Sequence, residues 1–161
     1  MFQLHHETHE DMWEIEALYD LCFAPGREAL SSYRLREGVA PVSELCLVAR
    51  DSDQILGGAI RVWPVQVETH KALLIGPIAV HPTRQGEGLG AIMIQNVLDK
   101  AGASGWSRAM LVGDLPFYKR FGFFRLTGVA MPPPTNPERV LGVSIEQDAW
   151  NGISGPVQRM A

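Results

Sequence analysis

Between positions 85 and 90 the sequence places Gln85, Gly86, Gly88 and Gly90, and it follows them with Ala91, Ile94, Val97, Leu98 and Ala101. The last four fall at i, i+3, i+4 and i+7, which is one face of an amphipathic helix. Glycines at a helix start let the backbone come close to a ligand. The N–H groups of the first turn have no partner inside the helix, and the positive end of the dipole points the same way. An anion, phosphate above all, is the ligand such a turn suits. Just ahead, the apolar run 72–80 is short, β-branched towards its end and closed by His81-Pro82, which predicts a strand buried on both faces. Gly76-Pro77 interrupts it. Proline cannot donate to a sheet ladder and glycine inside a strand marks a bulge, so backbone groups on one side of this strand are expected to be left unpaired.

Other chemistries compete for these residues. Gly86-Glu87-Gly88-Leu89-Gly90-Ala91 satisfies the dinucleotide fingerprint literally, as a nucleotide-binding oxidoreductase would carry it. Its setting does not fit. Residues 81–85 separate the first glycine from the strand, and the next predicted strand, 107–112, holds no acidic residue for a ribose. A P-loop fails outright, because no Gly-Lys-Ser or Gly-Lys-Thr ends the turn. His5, His6 and His9 invite a metal reading, but His6-Glu7-Thr8-His9 is one residue short of the i, i+4 spacing of a zinc helix, so no metal is expected.

The run Gly76-Pro77-Ile78-Ala79-Val80-His81-Pro82, continued by Gln85-Gly86 and Gly88-Leu89-Gly90, closely resembles the acyl-coenzyme A signature of the GNAT superfamily of N-acetyltransferases. Gln85, Gly88 and Gly90 fill the fixed places of its pyrophosphate loop. The block 114–123, with Phe117-Tyr118, a basic pair and Phe121-Gly122-Phe123, is similar to a later motif of the same family. The two motifs stand in the family's order and spacing, and they cover well under half of the chain. The residues 150–155 resemble the endings of a small bacterial branch of the superfamily.

The resemblance implies acetyl-CoA as co-substrate. Its thioester arm would lie along Ile78, Ala79 and Val80, beside Phe117. Its phosphates would lie on Arg84, Gln85, Gly86, Gly88, Leu89 and Gly90. When an amine attacks a thioester, negative charge develops on the carbonyl oxygen and then on the departing sulfur. Backbone N–H groups at Ile78 and Val80 suit the first charge, as preorganised donors do. The second needs a proton, and Tyr118 stands where the family commonly has a general-acid tyrosine. A phenol of pKa about 10 is a reasonable donor to a thiolate of pKa about 8.5. A packed aromatic between Phe117 and Phe121 is the competing account of the same ring. An amine of pKa about 10.4 must also lose a proton. Glu44, Glu68, His70 and Asp114 are all candidates and none is singled out.

Residues 2–6 predict a short strand, and Thr8 with Asp11 the start of a helix whose face is Ile15, Leu18, Tyr19 and Cys22. Pro25-Gly26 ends it. A weaker helix is predicted over 27–37, where Arg27, Glu28, Arg34 and Arg36 could offer charges to an acceptor, although a solvated face is the better account of each of them. Strands are expected at 44–50 and 55–65, the second ending in a kinked edge at Pro64, with Trp63 as a wall of the acceptor pocket or as plain core. A strand at 107–112 parallel to 72–80, a short helix at 115–120 and a strand from 121 follow. Residues 131–134 read as a stiff exposed connector, and 140–146 as the strand that closes the sheet.

At 161 residues the chain is long enough for one domain with a real core, taken as 1–161. A net charge of −4, with no basic run longer than Lys119-Arg120, speaks against nucleic acid, and no segment is apolar enough to span a bilayer. Cys22 and Cys46 sit among apolar neighbours and read as reduced thiols of a cytoplasmic protein. The expectation is an α/β (α+β) GNAT fold, with a mixed, mostly antiparallel central sheet flanked by helices and splayed central strands. Its activity would be acetyl transfer from acetyl-CoA to a primary amine of a small-molecule or protein acceptor, by direct attack in a ternary complex. A non-catalytic acyl-CoA-binding sensor on the same fold is the alternative. The acceptor, the acyl length and the oligomeric state, a homodimer included, stay open.

Overall fold

Two long strands, β3 (Leu56–Val67) and β4 (His70–Val80), form the hairpin on which the rest is assembled. In the computed structural model, which describes residues 1–23 and 31–160, they pair antiparallel from Gly58↔Val80 to Val67↔His70. Ile60, Val62, Val65 and Leu73 are wholly buried, as a near-continuous apolar run requires when both faces of a sheet are covered. Beyond β3 lie β2 (Leu47–Arg50) and β1 (Gln3–His6). Beyond β4 lie β5 (Arg108–Val112), then β8 (Val140–Ser144), then β6 (Phe124–Arg125) at the edge. Every neighbouring pair along this path is antiparallel except β4 and β5, which run parallel on either side of helix α3 (Leu89–Ala103).

Helix α3 covers one face. Its buried stripe of Leu89, Met93, Ile94, Val97 and Ala101 packs in one cluster with Leu47, Ala49, Ile60, Val62 and Leu73. Each of the larger of these side chains, taken fully out of water, contributes roughly 1.5–3 kcal/mol. Helix α1 (Met12–Cys22) covers the other face through Ile15, Leu18 and Tyr19, against Val48, Ala59 and Ala79. Ion pairs fix its angle. Arg61 reaches Glu7 and Glu16, each at 3.0 Å, and Arg50 reaches Asp11 at 2.7 Å and Glu14 at 2.9 Å. Burial pushes the Asp11 carboxyl up, but the Thr8 amide and Arg50 outweigh it and hold it below its ordinary value.

Several predicted elements shift. The expected strand at 44–50 begins only at Leu47, because residues Ser43–Leu45 form a 3-10 turn. The strand expected over 55–65, with a kinked edge at Pro64, runs from Leu56 to Val67, and Pro64 pairs with Leu73 inside the hairpin. Val62, two residues earlier on the same edge, accepts from Val42 N–H. By alternation the missing N–H of Pro64 therefore falls on the side away from β4, in the interval between β2 and β9 (Gly155–Arg159). Strand β9 was not foreseen: it pairs with Val65–Val67 and runs parallel to β7 (Val129–Ala130). Strand β8 does not close the sheet but lies inside it, between β5 and β6. Residues 131–134 are not wholly exposed, since Met131 is buried. Of the weak helix at 27–37, only α2 (Ser31–Arg34) is seen; Pro25, Gly26, Arg27 and Glu28 lie outside the described residues.

Candidate active site

The break in β4 decides the geometry. On β3 the pairing advances from Ile60 to Val62 while on β4 it goes from Ile78 back to Ile75, so β4 carries one extra residue across Gly76-Pro77. Ile75 and Ile78, an odd number apart, would face opposite sides of a regular strand. Both instead pack on the α3 cluster. On its other edge β4 pairs with β5 only at Leu73↔Ala109 and Leu74↔Met110. From Ile75 onward the two strands part.

Which amides the gap receives follows from the ladder. His81 N–H donates to the Gly57 carbonyl at 2.8 Å. Antiparallel pairing alternates, so Ala79 shares that edge, while the amides of Ile78 and Val80 are directed to the other, where β5 has departed. The last turn of α1 straddles the same region. Tyr19 Oη donates to the Pro77 carbonyl at 3.1 Å and Cys22 Sγ to the Val80 carbonyl at 3.4 Å.

Two clefts meet here. The smaller, about 500 Å³, runs from Val80 past Gln85, Gly86 and Gly88 to Ile94 and Arg120. The larger, about 600 Å³, has apolar walls of Leu74, Ile75, Pro77 and Leu111, and polar groups from Tyr33, Asp114 and Arg139. Ile78, Phe117 and Tyr118 line both.

The smaller cleft has the features of an anion site. Gly88, with φ of 78°, is the N-cap of α3 and supplies no side-chain cap, and the first turn carries no acidic residue. A Cβ built on Gly86 or Gly88 would meet nothing within 4 Å. The amides of the first α3 turn therefore open onto unfilled space. Arg84 is on this wall but is already held by Asp51 at 3.2 Å and Glu87 at 3.1 Å. Arg120, which the sequence reading had not selected, lies 4.4 Å from the Phe117 ring centroid and makes no ion pair among the described residues. Its signal was present in the Lys119-Arg120 pair.

Tyr118 ends the short helix α4 (Leu115–Tyr118), with its ring edge-on to Phe117 at 4.9 Å and to Phe123 at 5.6 Å. A Cβ at Gly113 would stand 2.5 Å from that ring, so only glycine lets it lie so close to the end of β5. Among the described residues its hydroxyl makes no hydrogen bond. Burial pushes its pKa up, with Arg139 pulling down and Asp114 pushing up, so the proton stays on at neutral pH.

Of the residues singled out from sequence, Ile78, Val80, Arg84, Gln85, Gly86, Gly88, Leu89 and Gly90 line the smaller cleft, together with Phe117 and Tyr118. Ala79 does not. Its side chain is buried against α1, which the strand's alternation demands once Ile78 and Val80 face α3. Among the four candidate bases, Asp114 alone is on a cleft wall; Glu68 and His70 flank the far turn of the hairpin, and Glu44 is in the turn before β2. Trp63 lines neither cleft and packs under Arg36 instead, 4.7 Å from its guanidinium.

Residues 42–124 match the acetyltransferase (GNAT) domain family. Over 148 residues, 89% of this chain and 87% of the other, the sequence is 32% identical to the uncharacterized N-acetyltransferase YhbS of Escherichia coli K12. The chain belongs to the GNAT acetyltransferase family. Its fold superposes on the crystal structure of the Escherichia coli GNAT family N-acetyltransferase YhbS in complex with CoA with a TM-score of 0.84, at 27% identity, covering 99% of this chain and 89% of that one. A GNAT family acetyltransferase from Brucella melitensis, in complex with acetyl-CoA, gives a TM-score of 0.76 at 26% identity, covering 100% of this chain and 97% of that one. The mixed sheet with helices on both faces is thus a GNAT fold, parting between β4 and β5.

Proposed function

We propose that this acetyltransferase moves the acetyl group of acetyl-CoA to a primary amine held in the larger cleft, by direct attack while both substrates are bound. One observation carries the reading: a cleft suited to phosphates and a cleft suited to a small amine share the Ile78–Tyr118 junction. Acetyl-CoA is the co-substrate, in keeping with the CoA and acetyl-CoA complexes of the two relatives. The α3 amides and Arg120 would meet its phosphates.

At the junction, the amides of Ile78 and Val80 stabilise the oxyanion that forms as the amine nitrogen bonds to the thioester carbon. As the carbon–sulfur bond breaks, Tyr118 Oη gives its proton to the departing sulfur. The attacking ammonium must first shed a proton, and Asp114 on the cleft wall is the carboxylate within reach of that cavity. Residues 1–161 act as one domain, and the free thiols Cys22 and Cys46 accord with a reducing cytoplasm. The test is release of free thiol from acetyl-CoA across a panel of primary amines. Amine-dependent release supports the reading. Tight coenzyme A binding with no release for any amine makes the protein a binding module instead.

A further inference from the structure

The wall of the larger cleft carries one charge of each sign, and neither is neutralised by an ion pair among the described residues. The chain has more acidic than basic residues, 18 against 14, and Arg50, Arg61 and Arg84 are all taken by carboxylates. Arg139, on the wall of the larger cleft, makes no ion pair and no side-chain hydrogen bond among the described residues. Asp114 is also on that wall. It occupies the N-cap of α4, where an aspartate ordinarily accepts from the helix, yet among the described residues it makes no side-chain cap bond and no ion pair.

These two unpaired charges are neighbours. Gly113 N–H donates to the Arg139 carbonyl at 2.9 Å, one step beyond the last β5–β8 pair, Val112↔Val140, and Asp114 is the next residue. Opposite charges placed so close would ordinarily be joined; here both remain open to the cavity. Both also act on the Tyr118 phenol, which puts them at the chemical end of the cleft. Arg36 stands behind this wall: it lies 3.6 Å from the centroid of Tyr33, which lines the cleft, and among the described residues its buried Nη1 has no hydrogen-bond partner.

We infer that the acceptor is a small zwitterion: Asp114 receives its ammonium group beside Tyr118, and Arg139 receives an oxyanion, a carboxylate or phosphonate, at the other end of the same molecule. This rests on the acetyltransferase reading for the identity of the cleft, but not for its charge preference. A guanidinium fork matches an oxyanion in two parallel hydrogen bonds. The cavity, about 600 Å³, is of the size that small-molecule sites have, and its apolar walls suit the carbon skeleton that carries the two charges.

The test measures binding by calorimetry to protein saturated with coenzyme A. The probes are ω-aminocarboxylates from glycine to 6-aminohexanoate, the matching amides, the aminoalkyl phosphonates and the diamines. At the best chain length the acid or phosphonate is expected to bind tenfold or more tighter than its amide, and the diamine more weakly still. The two oxyanion arms tell carboxylate from phosphonate. Arg139→Gln should bring the ratio of acid to amide close to one, Arg139→Lys should restore part of it, and Asp114→Asn should weaken every amine. A purely structural role for Arg139 would lower all affinities together and leave the ratio unchanged. Equal affinity for acid and amide, an unchanged ratio in Arg139→Gln, or no binding by any probe overturns the inference. Thiol release with the same series reports separately on catalysis: a charge preference in binding without release keeps the zwitterion site and removes the transferase reading.

Discussion

The two halves of β4 are built for different ends. Over 70–74 the strand has partners on both edges, meeting β3 throughout and β5 at Leu73 and Leu74, with both of these side chains buried. Over 75–80 it keeps β3 and loses β5, and its residues other than Ala79 become walls of two clefts. A paired edge spends its backbone groups on the fold, whereas an open edge leaves amides for a ligand. One strand thus anchors the core at its start and serves the chemistry at its end.

Substitutions in the two halves should therefore separate stability from activity. The largest effect is expected in the closed half: Leu73→Ala, at a wholly buried site, should cost about 2–5 kcal/mol of folding stability in a denaturant titration. The activity per folded molecule should hold. A loss of activity with full stability would erase the distinction between the halves.

Next comes Tyr118→Phe, which keeps the ring against Phe117 and Phe123 and removes the hydroxyl. Turnover on a confirmed amine should fall about a hundredfold, or about 2.7 kcal/mol of barrier, with coenzyme A affinity and melting temperature nearly unchanged. The pH profile supplies a second reading. Burial holds the Tyr118 proton on beyond the ordinary phenol range, so wild-type turnover should decline only above about pH 10, and Tyr118→Phe should lack that limb. Normal turnover, measured where chemistry limits the rate, would leave Tyr118 as packing alone.

The smallest effect sharpens the anion site. Gly88 is a poor place to test it, since its positive φ would strain any side chain. Gly90 has no such φ, and a Cβ there would sit at ordinary contact distance, 3.8 Å, from Phe117 and Val80. Gly90→Val should fill the smaller cleft without loss of melting temperature and weaken coenzyme A binding tenfold or more, read by calorimetry. Wild-type affinity would move the phosphates elsewhere.

The sequence was most legible where local pattern and tertiary role coincide. The 75–90 stretch declared a strand, a break, a glycine turn and a helix, and each is present, because apolar period, proline chemistry and glycine freedom act over a few residues. What was missed depends on distant partners. Strand β9 holds Pro156 and an exposed Gln158, and pairs for only three residues with β3, so nothing within it announces a strand. Pro64 looked like a strand end, yet its missing N–H costs nothing where β3 has no neighbour on that edge. Arg139 carries no local signal, and Asp114 was one of four candidate bases with nothing to single it out; the two become neighbours only through the β5–β8 register.

The odd residue in β4 constrains length more tightly than composition. Ile75 and Ile78 share the α3 side although three positions separate them, because the extra residue is absorbed at Gly76-Pro77. Deleting one residue there would leave an even spacing, so the ladder with β3 would close without a bulge while Leu73, Ile75, Ile78 and Val80 all kept the α3 face. The core would keep its pattern and the site would lose its break. The extra residue is thus length reserved for the opening of the strand and not for the packing beneath it.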